Sequence, residues 1–185
     1  MLFCRQSFLT LRVRQSQRAF APRVRTHDEA FGKIEQIRRQ LDLDTVADGG
    51  TIAYMPHRGS VGVGYNSGQQ GDGTKALRQL FFSRMKRHPE FKDLAHVGKS
   101  KAINHAEAMS LYRAYRKSNG TLPKKLTMYV DRPTCAGGGS CVNLLPAVVR
   151  ELGIEELTIF YRTPKGLTKS RLVTPGGTGP IQLIQ

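Results

Sequence analysis

The sequence is poor in cysteine, poor in acidic residues and free of long apolar runs. Its three cysteines are too few for a disulfide framework. No apolar stretch approaches the roughly 20 residues that a membrane-spanning helix needs, and the N-terminus lacks the continuous apolar segment of a secretory signal peptide. The 185 residues, 39% of them hydrophobic, are enough for one domain with a core and tails.

The shortage of acidic residues leaves a strongly basic chain. Lysine and arginine number 29 against 14 aspartates and glutamates, for a net charge of +15. Residues 1–26 hold six of the arginines and no acidic residue, so residues 27–185 keep 23 basic against 14 acidic residues and a net charge of +9. This balance favours a polyanionic partner, nucleic acid or an anionic membrane. The alternative is a solvated basic surface without a partner.

The N-terminal region differs in composition from the rest of the chain. The arginine-rich, acid-free residues 1–26 suit a basic arm or the remnant of a longer protein, and also a mitochondrial transit peptide. A helix is expected over residues 27–43, as a docking segment outside the catalytic core. We therefore divide the chain into an N-terminal arm with its docking helix (1–45), one folded domain (46–174) and a flexible tail (175–185).

The apolar pattern of the domain predicts a mixed α/β fold. Strands are expected at residues 51–54, 60–65, 126–131, 157–161 and 167–173, and helices at 74–88, 104–118 and 143–152. The last two strands are separated by Thr163 to Gly166 alone, and a connection this short makes only an antiparallel hairpin. In the second strand, glycines alternate with Val61 and Val63, which indicates a close approach on one face.

The first helix of the domain is predicted to be amphipathic. Its buried stripe is expected to hold Leu77, Leu80, Phe81 and Met85. Its outer face would be basic, with Lys75, Arg78, Arg84, Lys86 and Arg87, and could follow a phosphate backbone.

The residues with the clearest chemistry lie between residues 104 and 141. His105 and Glu107 stand two apart, and Cys135 and Cys141 follow on a glycine-rich segment. One histidine and two cysteines form a zinc ligand set with an open fourth position, which is typical of catalytic sites. H-x-E followed by P-C-x-x-C is the signature of zinc-dependent nucleobase deaminases. Here Thr134 separates Pro133 from Cys135, and the cysteine spacing is C-x5-C.

Two simpler interpretations compete with the metal site. Asn104 and Glu107 have the spacing of a helix capping box, which would explain both residues without catalysis. Cys135 and Cys141 could form a disulfide bond or remain as two unreactive thiols. Neither interpretation explains the histidine and both cysteines together.

The chain resembles the cytidine deaminase-like superfamily over about residues 50–173. Within it, the chain is most similar to bacterial deaminase toxins of the DddA-like, double-stranded-DNA cytosine deaminase type. The resemblance rests on His105-Ala-Glu107, on Thr134-Cys135, and on Cys141-Val-Asn143 with the following Leu-Leu-Pro.

This resemblance implies a fold and a reaction. The fold is an α/β/α sandwich with a five-stranded mixed sheet whose last two strands are antiparallel. The reaction is hydrolytic deamination of cytosine to uracil in DNA, with one zinc ion that activates water and Glu107 as the general acid and base. His105, Cys135 and Cys141 would hold the zinc.

Position alone suggests residues that hold the base. Tyr65 and Asn66 follow the second strand, and Arg132 and Thr134 lie beside the ligands. The resemblance also implies a bacterial protein that acts in the cytoplasm of a target cell, with an immunity protein as a partner. We expect a monomer with no membrane partner.

Other classes of function stay open at this point. The domain could deaminate free nucleosides or RNA, or bind nucleic acid around a structural zinc without catalysis. The sequence does not decide between single-stranded and duplex DNA.

Overall fold

The computed structural model describes residues 26–43, 50–64, 72–92, 101–135, 140–163 and 165–184, leaving out the side chains of 72–74, 101 and 102. The elements, in chain order, are α1 (His27–Gln40), β1 (Thr51–Met55), β2 (Ser60–Gly64), α2 (Asp72–Met85), α3 (Pro89–Lys92), α4 (Lys101–Asn104), α5 (Ala106–Lys117), β3 (Lys125–Val130), α6 (Cys141–Glu151), β4 (Glu156–Arg162), β5 (Thr168–Thr174) and β6 (Gly177–Leu183).

All the described strands join one mixed sheet of six strands in the order β2-β1-β3-β4-β5-β6. β3 and β4 are parallel and α6 connects them, whereas every other neighbouring pair is antiparallel. The predicted hairpin between β4 and β5 is confirmed, since its turn is closed by Gly166 N donating to Thr163 O at 2.9 Å.

The expected count of five strands is wrong, because residues 177–183 form β6 instead of a loose tail. The sequence of this strand has no alternation of apolar and polar residues that would predict it, and its exposed side chains add little to the core. Backbone pairing with β5 forms it. Pro180 lies where the register shifts, and an edge strand tolerates the missing N–H at such a point.

Two hydrophobic clusters cover the two faces of the sheet. The larger one packs α2, α5 and α6 against residues such as Ala53, Met128 and Ile159. The smaller one packs α1 against the alternate strand residues, among them Ile52 and Tyr129. The domain is therefore a three-layer arrangement of helices, sheet and helix.

Helix α1 confirms the predicted helix at this position, but it belongs to the sheet's second face and is not a separate docking segment. Phe31 and Ile34 are 4% and 2% exposed against the sheet. Arg38 is also buried and pairs with Asp131, which follows β3. The carboxylate of Asp131 accepts a hydrogen bond from the backbone N–H of Ile52 at 3.1 Å. This contact ties α1 to β1 and β3.

Helix α2 lies with a different face inward than its apolar pattern suggested. Leu80 is 55% exposed, while Phe82 is buried in its place. Arg78, expected on the outer basic face, is buried and donates from Nη1 to Asn104 Oδ1 at 3.0 Å. The remaining basic residues at the end of the helix and after it are exposed or half-buried.

Within the part of the chain that the structure describes, no helix has the length and apolarity needed to cross a membrane.

Candidate active site

Three elements bring His105, Cys135 and Cys141 together. His105 is the N-cap residue of α5, Cys135 lies on the segment that follows β3, and Cys141 is the first residue of α6. His105 Nδ1 lies 3.0 Å from Cys141 Sγ and 3.3 Å from Cys135 Sγ. The ligand atoms of all three residues lie within 4.8 Å of one another.

The capping-box interpretation of Asn104 and Glu107 is wrong. Asn104 is the last residue of α4, and α5 begins after His105. His105 makes no side-chain capping bond, so its imidazole is directed to the two sulfurs. The disulfide interpretation also fails, because Cys135 and Cys141 are both free.

Both helices that carry ligands begin at the site. A helix N-terminus stabilises negative charge, and it lowers the pKa of a nearby thiol. The backbone N–H of Cys141, at the start of α6, donates to Cys135 Sγ at 3.2 Å. The fold therefore favours a thiolate at this position.

Hydrogen bonding shifts the pKa values of the two thiols in opposite directions. A hydrogen bond from the Cys141 thiol, together with one from His105, lowers the pKa of Cys135 to about 4. The same bond to Cys135, followed by burial, raises the pKa of Cys141 well above its usual value. These shifts favour the thiolate form of Cys135.

The donor set fits zinc. An imidazole nitrogen and two sulfurs are ligands that zinc takes in catalytic sites, with a fourth position left for water or substrate. Thr134 Oγ1 and Ser140 Oγ, each next to a ligand cysteine, are buried without a hydrogen-bond partner among the described residues. Hydroxyls beside ligand thiolates can orient and tune them once a metal is bound.

A cavity of about 290 Å³ opens beside the ligands. His105, Glu107 and Cys135 line it. The other lining residues are Gly50, Thr51, Gly64, Asn104, Arg132 and Pro133. The side chain of Glu107 is 3% exposed, and burial raises the pKa of its carboxyl group. A carboxyl group and a candidate metal site thus share one small cavity.

The match to known families covers most of this domain. Residues 34–173 match the MafB19-like deaminase family. This protein is a MafB19-like deaminase. That family is cytidine deaminase-like and related to toxin deaminases. No curated protein and no solved structure matches the chain.

The residues expected to hold the substrate base fall into three groups in this deaminase. Arg132 lines the cavity, and its Nε and Nη2 atoms have no partner among the described residues. Thr134 is buried and is not among the residues that line the cavity. Tyr65 and Asn66 lie outside the described residues.

Sequence reasoning did not assign Gly50, Thr51 and Gly64 to the site. Gly64 lies close to the start of α5, since a Cβ built at this position would be only 3.0 Å from Ala106 N. The alternating glycines of β2 were the available signal for this close approach. Gly50 and Thr51 carried no comparable signal.

Proposed function

We propose that this deaminase hydrolyses cytosine to uracil in DNA, with one zinc ion held by His105, Cys135 and Cys141. The observation that carries the proposal is the convergence of these ligand atoms within 4.8 Å beside the buried carboxyl group of Glu107. Zinc, when bound, supplies the Lewis acidity that lets water attack a ring carbon at neutral pH.

The protein groups have separate roles in this reaction. Glu107 takes a proton from water, delivers it to N3 of the pyrimidine, and then passes a proton to the departing amine at C4. Its buried position keeps bulk water from competing for that proton. Arg132, which lines the cavity, is assigned to hold the substrate base. General acid and base steps of this type contribute about 10² to 10⁴-fold.

Charge supports a nucleic-acid substrate over a free nucleoside. Residues 27–185 carry 23 basic and 14 acidic residues, an excess that a free nucleoside does not require. Phosphate contacts by Lys and Arg make binding weaker as salt rises. They would also offset the few kcal/mol that extrusion of a base from a duplex costs.

The relation of the family to toxin deaminases supports a toxin role, and the resemblance to DddA-like enzymes favours DNA. The proposal includes duplex DNA as the favoured form, a bacterial origin, action in the cytoplasm of a target cell, and inhibition by an immunity protein. The alternative location, mitochondria, depends on residues 1–25, which lie outside the described residues.

A comparison of four substrates under the same conditions tests which one the enzyme deaminates. Duplex DNA, single-stranded DNA and RNA with one cytosine each, and free cytidine, are incubated with the zinc-loaded chain, and uracil formation is followed. We expect uracil in DNA, at a rate that falls as salt increases. Rapid turnover of cytidine with no reaction on either DNA form would make the DNA proposal untenable.

Metal analysis tests the ligand set. We expect one zinc per chain, and less than a tenth of that in a Cys135→Ser, Cys141→Ser double variant. Cys4→Ser is the matched control, because Cys4 lies in the N-terminal arm, and it should keep its zinc. Full zinc content in the double variant would exclude these ligands.

A further inference from the structure

Arg78, on α2, is a buried cation that the proposed mechanism does not use. It is 6% exposed, and burial lowers the pKa of its guanidinium group. Within the described residues, no carboxylate forms an ion pair with it. Its Nη1 donates to Asn104 Oδ1 at 3.0 Å, and its Nε has no hydrogen-bond partner there. A buried guanidinium without a carboxylate is costly, which indicates that its contact with a neutral amide serves a purpose other than stability.

The acceptor of this contact belongs to the active-site cavity. Asn104 is the last residue of α4 and directly precedes the candidate ligand His105. It lines the cavity together with Glu107, whereas Arg78 is not among the lining residues. Asn104 is therefore the residue through which the buried arginine can influence a molecule in the cavity.

The contact fixes the orientation of the Asn104 carboxamide. A carboxamide has an acceptor end and a donor end of similar size, and its hydrogen-bond partners decide which end points in which direction. A guanidinium carries donors only, so it holds the Oδ1 end. The Nδ2 end, with its two N–H groups, is therefore turned away from Arg78.

We propose that Arg78 is a positioning residue, which holds the amino end of Asn104 toward the target base as a donor to O2 of cytosine. The inference rests on the proposed deamination of cytosine. In that reaction N3 receives a proton from Glu107 and C4 is attacked by water. The ring acceptor that is left is O2, beside N3.

This arrangement also predicts which base is deaminated. Adenine presented with its own amino group to the same site would have a C–H group where cytosine has O2. The amino end of Asn104 would then lose its acceptor, and a buried donor without a partner is unfavourable. A site of this kind rejects an analogue that lacks the hydrogen-bonding atom, so the orientation of one amide favours cytosine over adenine.

The contact itself is tested by thermal unfolding of four proteins: the parent, Asn104→Asp, Arg78→Met and the double variant. Aspartate keeps the size of the side chain and gives the arginine a carboxylate, so Asn104→Asp should raise the unfolding temperature by about 2 °C or more. In the Arg78→Met background the same change should lower it, because the carboxylate then lacks a cation. An equal effect in both backgrounds would overturn the contact. Arg78→Met alone should fold, since methionine is an apolar replacement of similar length.

The role in substrate binding is tested with DNA that has either cytosine or 2-thiocytosine at one target position. Sulfur accepts hydrogen bonds more weakly than oxygen. The zinc-loaded full chain is used, and mass spectrometry follows uracil and 2-thiouracil. The ratio of kcat/KM for the oxygen substrate to that for the sulfur substrate should fall by about 3- to 10-fold in Arg78→Met and in Asn104→Asp. A merely structural role would lower both rates equally and leave the ratio unchanged.

Two further variants complete the comparison. Arg78→Lys keeps a group that only donates and should retain part of the ratio. Arg116→Met removes a charge at the exposed end of α5 and should keep the whole ratio. Zinc content should equal that of the parent in every variant, because the proposed role does not involve the metal.

The possible failures are distinguishable. If the parent deaminates DNA but the ratio is unchanged in Arg78→Met and Asn104→Asp, the inference is wrong and the proposed function stands. Loss of zinc from Arg78→Met would show that the arginine acts on the position of His105, which also overturns the inference. If the parent deaminates cytosine in no form of DNA, the proposed function fails and the inference fails with it.

Discussion

At the scale of single residues, Glu107 is the side chain whose environment most clearly differs from its chemical preference. It is buried between Ala106 and Ala108, in the first turn of α5. Burial raises the pKa of its carboxyl group, while hydrogen bonds with its own backbone N–H and with the Cys141 side chain favour the charged form. The proposed function assigns this buried acidic group to proton transfer.

The Glu107→Gln variant tests this role. The amide keeps the size of the side chain but cannot accept and return a proton. We expect turnover to fall by about 10² to 10⁴-fold, with zinc content and unfolding temperature within error of the parent. Deamination rates, metal analysis and thermal unfolding are measured on one preparation. A variant with more than a few per cent of the parental rate would remove Glu107 from the proposed mechanism.

At the scale of elements, the contact between β2 and α5 sets the position of the site. A Cβ built on Gly62 would lie 1.9 Å from Ala106 O and 2.6 Å from Ser110 N. Ser60 and Ser110 each donate a side-chain hydrogen bond to the other's backbone carbonyl, at 2.9 and 3.2 Å. The helix that carries Glu107 therefore rests directly on the backbone of the strand.

Gly62→Ala should force these two elements apart. Because the colliding atoms belong to backbone, we expect a loss of about 3 kcal/mol or more in the free energy of unfolding. Gly32→Ala, at an open position in α1, is the matched control and should gain up to about 1 kcal/mol. Urea denaturation compares them. Equal stabilities of the two variants would contradict the close contact.

A second junction of elements links α6 to the edge strand β6. The helix was expected to begin near Asn143, which would place Pro146 in the first turn, but it begins at Cys141. Pro146 is then inside the helix and leaves the carbonyl of Val142 without its helical donor. Thr178 Oγ1, on β6, donates to that carbonyl at 2.7 Å.

A double-mutant cycle tests this substitution of donors. Thr178→Val should cost about 1 kcal/mol in the parent, and much less with Pro146→Ala, because alanine restores the helical N–H. Urea denaturation of the four proteins should give a coupling of about 0.5 kcal/mol or more. Additive effects would show that Val142 O does not depend on Thr178.

At the scale of the whole molecule, one acidic residue at the end of α6, Glu151, pairs with several of the basic side chains. Glu151 pairs with Arg84 and Arg87 and lies 2.6 Å from His88 Nε2. Burial raises its pKa, but the hydrogen bonds from Arg87, His88 and Arg84 outweigh this and lower the pKa of Glu151 to about 2. This cluster links α2 to α6 and offsets part of the charge repulsion between the arginines.

The lowered pKa predicts acid sensitivity. A carboxyl group whose pKa is lower in the folded than in the unfolded state stabilises the fold above the unfolded pKa, and that contribution is lost as the pH falls toward the folded pKa. Glu151→Gln should therefore cost about 2 kcal/mol at pH 7, and the difference from the parent should shrink between about pH 5 and 2.

The control for this pH dependence is Glu155→Gln. Glu155 is 61% exposed and pairs with Lys124 on the surface, where ion pairs contribute little. Denaturation is followed from pH 7 to 2 for all three proteins, and the quantity compared is the difference from the parent. A Glu151→Gln difference that is independent of pH would refute the assigned cause.

Local patterns identified the elements and the chemistry but not their orientation. The five predicted strands agree with β1 to β5 within two residues at each end, because apolar strands between turn residues have a clear signature. The prediction of the buried face of α2 was partly wrong, because Leu80 is exposed and Arg78 is buried. A helical pattern alone does not predict that the side-chain oxygen of the half-buried Asn104 will accept a hydrogen bond from Arg78.

The sequence by itself determined the mixed sheet and the β4–β5 hairpin, and it selected the candidate ligand set of His105, Cys135 and Cys141 that the structure brings together, because each depends on side-chain chemistry or on short spacing. Only the tertiary structure decided that α1 covers the second face of the sheet, that residues 177–183 form a sixth strand, and that Gly50 and Thr51 line the cavity beside His105. These features depend on contacts between residues distant in sequence. Arg38 and Asp131, for example, are 93 positions apart, and no local pattern records such a pairing.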